Sequence, residues 1–496
     1  MLFNLKISAG KEYRPSAKQN GIVIFAFDDL SKNQLAKLFE KYSLKINEAV
    51  LKKFDDKKIP SFQINSEDEK VSFGKFIKIK KEKLSTDTFR NELAGLVKLI
   101  KEEYVDELSI VTISPKEVKD VFEKVEYYFQ SLTEGLLLGN YDFNNYKTEK
   151  EKPRKLNVKF ITDEAQSAKK GITSADKLIE AVNFTKDLIN EPAITLTPKE
   201  LAKRTKADLS KEGIQVTVLN KKQLKEKKMN AILSVGSASP NDPCLIVMKY
   251  KPKTKSKKKI ALVGKGVTYD TGGLSIKPTS GMLDMKADMA GAAATIGIIK
   301  AAAKLKLPYE IIGVVPAVEN TIAGNAYKPG DVVKTASGKT IEVKDTDAEG
   351  RIILADALEY ASKQKPDEII DFATLTGSVM VALGEYAAGV FTKNDSLADN
   401  LYKAGMRTYE RVWWLPFWDD YNKLIKSDIA DVSNLGPRWG GAITAGKFLE
   451  NFVDEKIPWI HIDIAGVALA NDLNNYTKKW HPGFGVRLII DYLENN

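Results

Sequence analysis

Cysteine and histidine are scarce in this sequence of 496 residues. Its one cysteine, Cys244, cannot form an intramolecular disulfide, and so low a cysteine content is typical of a reducing compartment. Its two histidines, His461 and His481, lie outside any His-Glu-x-x-His frame. This excludes the helix-borne histidine pair of single-metal peptidases, and we interpret the two histidines as residues of a strand and of a turn.

Long apolar runs and phosphate-binding loops are also absent. No uncharged apolar segment reaches the ~18 residues that a membrane span needs, and the first residues, MLFNLK, lack the apolar stretch of a signal peptide. We therefore expect a cytoplasmic protein with no membrane contact. Because there is no Gly-x-x-x-x-Gly-Lys-Ser/Thr loop, the sequence argues against a magnesium-dependent phosphoryl-transfer enzyme.

The charge balance is basic, with 76 Lys and Arg against 66 Asp and Glu and a net charge of +10. A basic surface attracts polyanions, but the lysines are spread along the chain. A nucleic-acid partner, in particular DNA, is therefore an alternative and not the main interpretation. The densest lysine run, residues 251–259, is typical of an exposed hairpin tip, with a polyanion contact as its alternative.

Residues 1–170 are predicted to form a separate, lysine-rich α/β domain in which no catalytic constellation appears. The predicted elements are strands over residues 21–27, 108–113 and 156–162 and a helix over residues 84–104. A boundary is expected near Gly171. Beyond it, TSAD (173–176) and TPKE (197–200) have the pattern of capped helix starts, and Gly213 is the expected end of the second helix.

Residues 171–496 are predicted to form a larger catalytic domain of the α/β class, with a mostly parallel, helix-flanked central sheet. Apolar strands alternate here with helical patterns. The predicted strands cover residues 244–250, 260–264, 311–317, 369–374 and 459–464, and the predicted helices cover residues 290–305 and 352–362. Ligands of such sheets bind beyond the carboxyl ends of the strands, and Lys265 and residues 374–377 directly follow two of them.

Four acids and a lysine cluster along the sequence between these elements: Lys265, Asp270, Asp288, Asp347 and Glu349. Four carboxylates cannot share a pocket as free anions, because like charges raise one another's pKa and repel. Divalent cations resolve the conflict, and a carboxylate set without thiolate or imidazole suits Mg, Mn or Zn. Four shared acids suffice for two ions, an arrangement that serves hydrolytic displacement.

Each of these residues also has a structural alternative. Asp288, Asp347 and Glu349 precede helices and could cap them or compensate their dipoles. Asp270 precedes Thr-Gly-Gly and could be a turn residue, and the lysines could be surface charges. The occurrence of all of them at the ends of elements favours a two-metal hydrolase.

Three segments carry a resemblance to a known family. They are VGKGVTYDTGGLSIKP (263–278), MKADMAGAA (285–293) and TDAEGR (346–351). The sequence resembles the leucyl aminopeptidase (cytosol aminopeptidase) family through them, and the likeness extends over roughly residues 175–470. DLINEP (187–192), ATLTG (373–377), GAITA (441–445) and HIDIAG (461–466) continue it.

The resemblance implies a hydrolase that releases N-terminal residues, preferably leucine and other hydrophobic residues, from short peptides. It also implies two divalent ions per chain, Mn²⁺ or Zn²⁺. By the family pattern, Lys265, Asp270, Asp288 and Glu349 would hold the tighter ion, and Asp270, Asp347 and Glu349 the more exchangeable one.

Two further cations are implied to act in the reaction. Lys277 would polarise the scissile carbonyl, and Arg351 would hold a bicarbonate that acts as general base. The family also implies a homohexamer that restricts substrates to short peptides. The residues that would line or position the substrate's N-terminal residue are Met285, Thr374, Leu375, Gly377 and Ala465.

Two features depart from the family pattern. Asp345 stands where an Asn is usual, which adds an acid beside the expected metal ligands. Residues 471–485, with Trp480, His481 and Phe484, lack the sequence motif that is usual in the family. We expect differences in the geometry around the ligands and in the pocket at these two places.

Overall fold

The structure, a computed structural model, describes residues 2–14, 20–45, 54, 60–66, 71–469, 472–477 and 479–496. The chain forms two compact units. The first unit comprises residues 1–179 and 474–476, and the second unit comprises residues 180–473 and 477–496. No helix in the described ranges has both the length and the apolar character that a membrane span requires.

The first unit is built on a mostly parallel sheet with the strand order β1-β8-β7-β2-β6-β4, in which only β4 runs antiparallel to its neighbour. All of the strands and the helix that we predicted here are confirmed, with ends shifted by a few residues. The strands are β1 (Phe3–Gly10), β2 (Asn20–Phe27), β3 (Leu44–Lys45), β4 (Ser61–Gln63), β5 (Asn65–Ser66), β6 (Val71–Ile79), β7 (Glu107–Val111) and β8 (Arg154–Ile161). The helices are α1 (Lys32–Lys41), α2 (Thr88–Lys101), α3 (Val125–Gly139) and α4 (Ala165–Asn190).

Helix α4 shows that the predicted helix start at residues 173–176 is wrong. The helix is continuous from Ala165, and the Thr173 hydroxyl donates to the Lys169 carbonyl at 2.8 Å, one turn back, instead of capping a new helix. Gly171 does not interrupt it. A Cβ at Gly171 would lie 2.3 Å from the Glu126 carbonyl oxygen, so this glycine permits a close approach to α3. The division between the two units also falls inside α4.

The second unit contains the predicted alternation of strands and helices. Its strands are β9 (Gln215–Leu219), β10 (Cys244–Tyr250), β11 (Lys259–Gly264), β12 (Gly266–Asp270), β13 (Glu310–Asn320), β14 (Val332–Lys334), β15 (Thr340–Glu342), β16 (Glu368–Ala373), β17 (Ala388–Phe391), β18 (Val412–Trp414), β19 (Val432–Ser433) and β20 (Trp459–Asp463). Its helices are α5 (Pro198–Leu209), α6 (Lys221–Glu226), α7 (Asn230–Val235), α8 (Thr279–Met282), α9 (Ala290–Leu305), α10 (Glu349–Ser362), α11 (Gly377–Leu383), α12 (Asp395–Thr408), α13 (Gly441–Glu450), α14 (Ala465–Leu469) and α15 (Val486–Asn495). The predicted cap of α5 is confirmed, since the Thr197 hydroxyl accepts from the Glu200 amide, and the left-handed Gly213 follows the helix.

The large sheet of the second unit has the order β18-β17-β20-β16-β11-β13-β10-β9. Its centre, β20-β16-β11-β13, is parallel, and its antiparallel pairs lie toward the two edges. This confirms the predicted mostly parallel sheet. The predicted hairpin at residues 251–259 is wrong, because β13 lies between β10 and β11, so this exposed lysine segment connects two strands that do not pair.

Helices α9 and α10 cover opposite faces of the central strands. The side chains of Ala261 and Val263 share a buried core with residues of α10. Gly264, on the other face of β11, meets α9 so closely that a Cβ there would lie 2.4 Å from the Gly291 carbonyl oxygen. The first turn of α9 therefore lies directly against the carboxyl end of β11, where ligands of such sheets bind.

A buried charged pair joins two central strands. Asp371 on β16 receives bonds from His461 on β20, with Nδ1 at 2.6 Å, and from the Trp459 indole at 2.7 Å, and Asp371 and His461 are fully buried. Burial alone would lower the pKa of His461, but the neighbouring Asp371 carboxylate raises it above its ordinary value. Removing one partner of such a pair leaves an uncompensated polar group in the core.

We expect Asp371→Asn to lower the free energy of unfolding by about 3 kcal/mol. Because the folded-state pKa of His461 is raised, the ionic part of this stabilisation is present at low pH and is lost as the pH rises through that pKa. The difference between wild type and variant should therefore narrow at alkaline pH. Denaturant unfolding followed by circular dichroism measures it.

The matched control is Asp399→Asn, which breaks the exposed pair between Asp399 and Lys403 on α12. An exposed pair contributes roughly 0.5 kcal/mol or less. Equal effects of the two substitutions would contradict a stabilising role for the buried pair.

Candidate metal centre

The five predicted metal ligands come from different elements that end at one edge of the central sheet. Lys265 follows β11, Asp270 ends β12, Asp288 ends the 3-10 turn Met285–Ala287, Asp347 lies in a loop, and Glu349 begins α10. Four of their side chains are buried, and that of Asp347 is 34% exposed. The structure thus brings together residues that are up to 84 positions apart in the sequence.

Three carboxylates form a compact group. One oxygen from each of Asp270, Asp347 and Glu349 lies within 4.8 Å of the others. The fourth, Asp288, is joined to this group by Lys265, whose Nζ lies 2.7 Å from Asp288 Oδ1 and 2.8 Å from Glu349 Oε1. All four acids therefore belong to one cluster.

Lys277 contacts the same cluster from the side of the pocket. Its Nζ lies 2.9 Å from Asp270 Oδ2 and makes a short contact with Asp347 Oδ1. With Lys265, it places two positive charges among four carboxylates. The acids in this group carry more negative charge than the two lysines compensate.

The pKa values reflect this crowding. Burial raises the pKa of Asp347 to about 7 and that of Glu349 above its ordinary value, and the charge of Asp270 adds to both shifts. Burial also raises the pKa of Asp288. For Lys265, burial favours the neutral amine, but Asp288, Glu349 and Asp270 outweigh it and raise its pKa.

The residues fit a divalent cation. Asp288 Oδ2 is buried and accepts no hydrogen bond from any described residue, so a lone pair remains for a ligand. The donors are carboxylate oxygens, which suit Mg, Mn or Zn. The cation would also reduce the repulsion among the acids that raises their pKa values.

The capping alternative is wrong for Asp288 and Glu349. Neither α9 nor α10 has a side chain bonded to its first amides. Asp288 Oδ1 instead accepts from Lys265 and, at 2.7 Å, from the Thr374 hydroxyl. For Asp270 the turn interpretation is confirmed, because Oδ1 accepts from the Gly272 amide at 2.8 Å. Its Oδ2 faces Lys277, and its role as a metal ligand stays a prediction.

A glycine makes room for Lys265. A Cβ at Gly350 would lie 2.4 Å from Lys265 Cε, so a side chain at the second position of α10 would displace the lysine. The Lys265 backbone is fixed as well, because its amide donates to Phe372 O and its carbonyl accepts from Ala292 N. The sequence analysis did not identify this role of Gly350, since no local turn or cap requires a glycine there.

Two asparagines that the sequence analysis missed hold the loops of the cluster. Asn320, the last residue of β13, donates to Asp270 Oδ1 at 2.8 Å and to Thr346 O at 3.0 Å. Asn434, after β19, donates to Asp345 O at 2.6 Å and accepts from the Lys344 amide. The signal that could have identified Asn320 is its polar side chain at the carboxyl end of a buried strand.

Asp345, which stands where the family usually has Asn, makes a hydrogen bond within its own loop. Its Oδ1 accepts from the Asp347 amide at 2.8 Å. An Asn side chain offers an acceptor at the same place, so the departure from the family pattern conserves this bond and adds a charge. Asp345 also lines the pocket described below.

Arg351 lies beside the cluster without an ion pair to it in the described residues. Its Nη1 donates to Asn434 O at 2.8 Å. Its buried Nε has no hydrogen-bond partner among the residues that the structure describes. Burial lowers the pKa of Arg351 to about 10. An unpaired, buried guanidinium N–H is a fitting partner for a small anion.

A pocket of about 720 Å³ opens onto the cluster. It is lined by every predicted site residue except the buried Glu349. Asp463 shapes one wall, because its carboxylate accepts from the Leu375 amide, the Thr376 hydroxyl and the Ala465 amide. The predicted substrate residues on the lining are Met285, Thr374, Leu375, Gly377 and Ala465.

The divergent segment 471–485 is described except for residues 471 and 478. His481 is buried, and its Nδ1 lies 3.1 Å from the Ala468 carbonyl oxygen. Leu469, just before the segment, lines the pocket. Neither His481 nor His461 belongs to the carboxylate cluster, which agrees with the structural roles that we expected for them.

The chain is similar to known proteins over most of its length. A family model described as the catalytic domain of the cytosol aminopeptidase family matches residues 183–490. A probable cytosol aminopeptidase of Aquifex aeolicus (strain VF5) is 42% identical over 492 residues, 99% of this chain and 98% of that protein. Another, from Chloroherpeton thalassium, is 45% identical over 432 residues, 84% of each.

Solved structures show the same fold. The bottromycin maturation enzyme BotP in complex with Mn has a TM-score of 0.83 and 29% identity, covering 96% of this chain and 99% of that one. A second structure of the same enzyme has a TM-score of 0.81. From the matched family model and the identity over nearly the whole chain, it follows that the chain belongs to the cytosol aminopeptidase family and is a metal-dependent aminopeptidase.

Proposed function

We propose that this aminopeptidase uses two divalent ions to release leucine and other hydrophobic residues from the N-termini of short peptides. The observation that carries the proposal is the cluster of four carboxylates and Lys265 at one edge of the sheet. The likeness to a solved enzyme in complex with Mn supports a divalent ion. We propose Mn²⁺ or Zn²⁺, because both accept carboxylate oxygens.

The ligands divide into two overlapping sets. Lys265, Asp270, Asp288 and Glu349 would hold one ion, and Asp270, Asp347 and Glu349 the other. The contacts of Lys265 with Asp288 and Glu349 support the first set, and the mutual proximity of the three carboxylates supports the second. When bound, two such ions supply Lewis acidity that activates water and stabilises negative charge on the substrate.

Lys277 and Arg351 are the proposed catalytic residues that bind no metal. Lys277, on the pocket side of the cluster, would donate to the carbonyl oxygen of the scissile bond as negative charge develops there. Arg351 would hold a bicarbonate that takes a proton from the attacking water. Its buried Nε without a described partner supports an anion at this place.

The preference for hydrophobic N-terminal residues rests on the uncharged wall of the pocket. An apolar side chain gains free energy by leaving water for such a surface. Thr374 and Gly377 would position the peptide backbone beside this wall. The apolar side chains that line it are Met285, Leu375, Met380, Leu435, Ala465 and Leu469.

Metal content tests the proposal most directly. We expect the wild-type protein, reconstituted with Mn²⁺ or Zn²⁺, to hold two ions per chain and to hydrolyse leucine amide, and chelation to abolish this activity. Asp270→Ala should lose both ions, because Asp270 belongs to both sets. Elemental analysis after gel filtration measures the content.

The control for this experiment is Asp284→Asn, an exposed acid that lines the same pocket and belongs to neither set. It should keep both ions. A fully active wild-type enzyme with a single ion per chain would contradict the two-metal proposal.

Lys277→Ala separates catalysis from metal binding. Both ions should remain, while kcat for leucine amide falls by a factor on the order of 10²–10³, the cost of one donor to a developing oxyanion. Lys344→Ala is the control, since Lys344 is an exposed lysine of a neighbouring loop that pairs with Glu342. Loss of metal from the Lys277 variant would show instead that this lysine supports the metal site.

We further propose a cytoplasmic homohexamer. Three exposed tryptophans, Trp413, Trp414 and Trp418, lie close together in the sequence, and grouped exposed aromatic residues are typical of interaction surfaces. Light scattering should give six times the 55.1 kDa of one chain. An active monomer at working concentration would refute the assembly. DNA binding is no part of the proposal.

A further inference from the structure

Arg438 is a cation of the pocket that pairs with no carboxylate of the described residues. In the described part of the chain, the cationic side chains that line the pocket are Lys265, Lys277, Arg351 and Arg438. The first two contact the acids of the cluster, and Arg351 donates to the Asn434 carbonyl. Arg438 is exposed, and no ion pair or hydrogen bond to its guanidinium occurs among the residues that the structure describes.

The loop that carries Arg438 is short and held at both ends. At its start, Asn434 bonds to the Asp345 carbonyl at 2.6 Å, and Ser433 bonds to the Leu435 carbonyl at 2.9 Å. At its end, helix α13 begins at Gly441. The anchored ends fix the course of the loop along the pocket wall, where Arg438 lies. The same Asn434 bonds to the carbonyls of Asp345 and Ala348, which flank Asp347.

The guanidinium is oriented by an aromatic ring. Its Cζ lies 5.0 Å from the centre of the Trp439 ring. A ring stabilises the cation without occupying its N–H donors, which remain available to a ligand. A planar guanidinium pairs best with a carboxylate, through two parallel hydrogen bonds.

Some acids of the pocket oppose a negatively charged ligand even when the ions are bound. Asp284 and Asp345 line the pocket and belong to neither proposed set of metal ligands. In a short peptide, the C-terminal carboxylate lies within a few residues of the bond to be cut. Acids of the pocket repel this carboxylate unless a cation pairs with it. Among the described cations of the lining, Lys265 and Lys277 face the acids and Arg351 has a proposed anion of its own, which leaves Arg438 for this carboxylate.

We propose that Arg438 binds the C-terminal carboxylate of dipeptide and tripeptide substrates and thereby selects for short peptides. This inference rests on the proposed function, since it assumes that peptides enter this pocket with the N-terminal residue at the cluster. The contact is made equally in the ground state and the transition state, so it should act on KM more than on kcat. Arg438 is a specificity residue in this scheme and takes no part in bond cleavage.

The test compares leucyl-glycine with leucyl-glycinamide, which lacks the carboxylate, using the metal-loaded full-length enzyme. For the wild type we expect kcat/KM to favour the free acid by about tenfold, an effect typical of one charge-assisted contact, and to do so less at high salt. Arg438→Gln should abolish this preference and leave cleavage of the amide unchanged. Arg438→Lys should keep part of it.

Lys423→Gln is the matched control, because it removes an exposed positive charge from the same unit outside the pocket lining. It should retain the full preference. Equal cleavage of both substrates by the wild type would refute the inference, and so would a preference that survives in Arg438→Gln. Equal losses on both substrates in that variant would reveal a structural role of the loop and would refute it too.

The outcomes also separate this inference from the proposed function. If the metal-loaded wild type cleaves neither substrate, the proposed function itself fails. If it cleaves both at the same rate, the proposed function stands and only the role of Arg438 fails.

Discussion

Repulsion among buried carboxylates is the constraint on which the second unit depends. Asp270, Asp288, Asp347 and Glu349 lie in one cluster, where burial raises the pKa of the last three and the charge of Asp270 adds to each of these shifts. Two lysines offset only part of this charge. The cluster can therefore exist only where the surrounding backbone holds the acids in place and where cations complete the balance, and this is the chemistry that a metal-dependent aminopeptidase requires.

The fold meets this constraint with rigid parts. Strands β11 and β16 end side by side, as do β12 and β13, and the glycines at 264 and 291 bring α9 against the ends of the first pair. Asn320 and Asn434 then tie the loops to one another by side-chain bonds to backbone groups. Such bonds orient the acids without adding charge, as is required of a preorganised binding site.

The pocket has a charged part and an apolar part. Its charged part contains the acids and the lysines that face them, and its apolar part contains side chains such as Leu375 and Met380. Asp463 links the two parts, because its carboxylate fixes the backbone of residues 375–376 and of Ala465. The geometry of the apolar wall is thus set by a buried acid that no substrate needs to touch.

The sequence alone determined the composition of the site and the order of the elements around it. Strand and helix periodicity, the cap at Thr197 and the ends of elements are local properties, and for this reason the alternation in residues 260–464 could be predicted. The acids could be grouped because parallel strands bring their carboxyl ends to one edge. Local patterns failed where a distant neighbour decided the outcome, as at Thr173 inside α4 and at the lysine segment 251–259, where β13 lies between the two strands.

Only the tertiary structure decided which groups support the ligands. Gly350 is needed because Lys265, 85 positions earlier in the chain, occupies the space of its missing side chain. Asn320 and Asn434 look like ordinary loop or strand-end residues until their bonds to Asp270 and Asp345 are seen. The sequence by itself determined which acids and lysines lie at the ends of strands and helices, since charge and the ends of elements are local properties of the chain. The tertiary structure decided how they are held, because close approach and hydrogen bonding depend on residues that the chain brings together only when it folds.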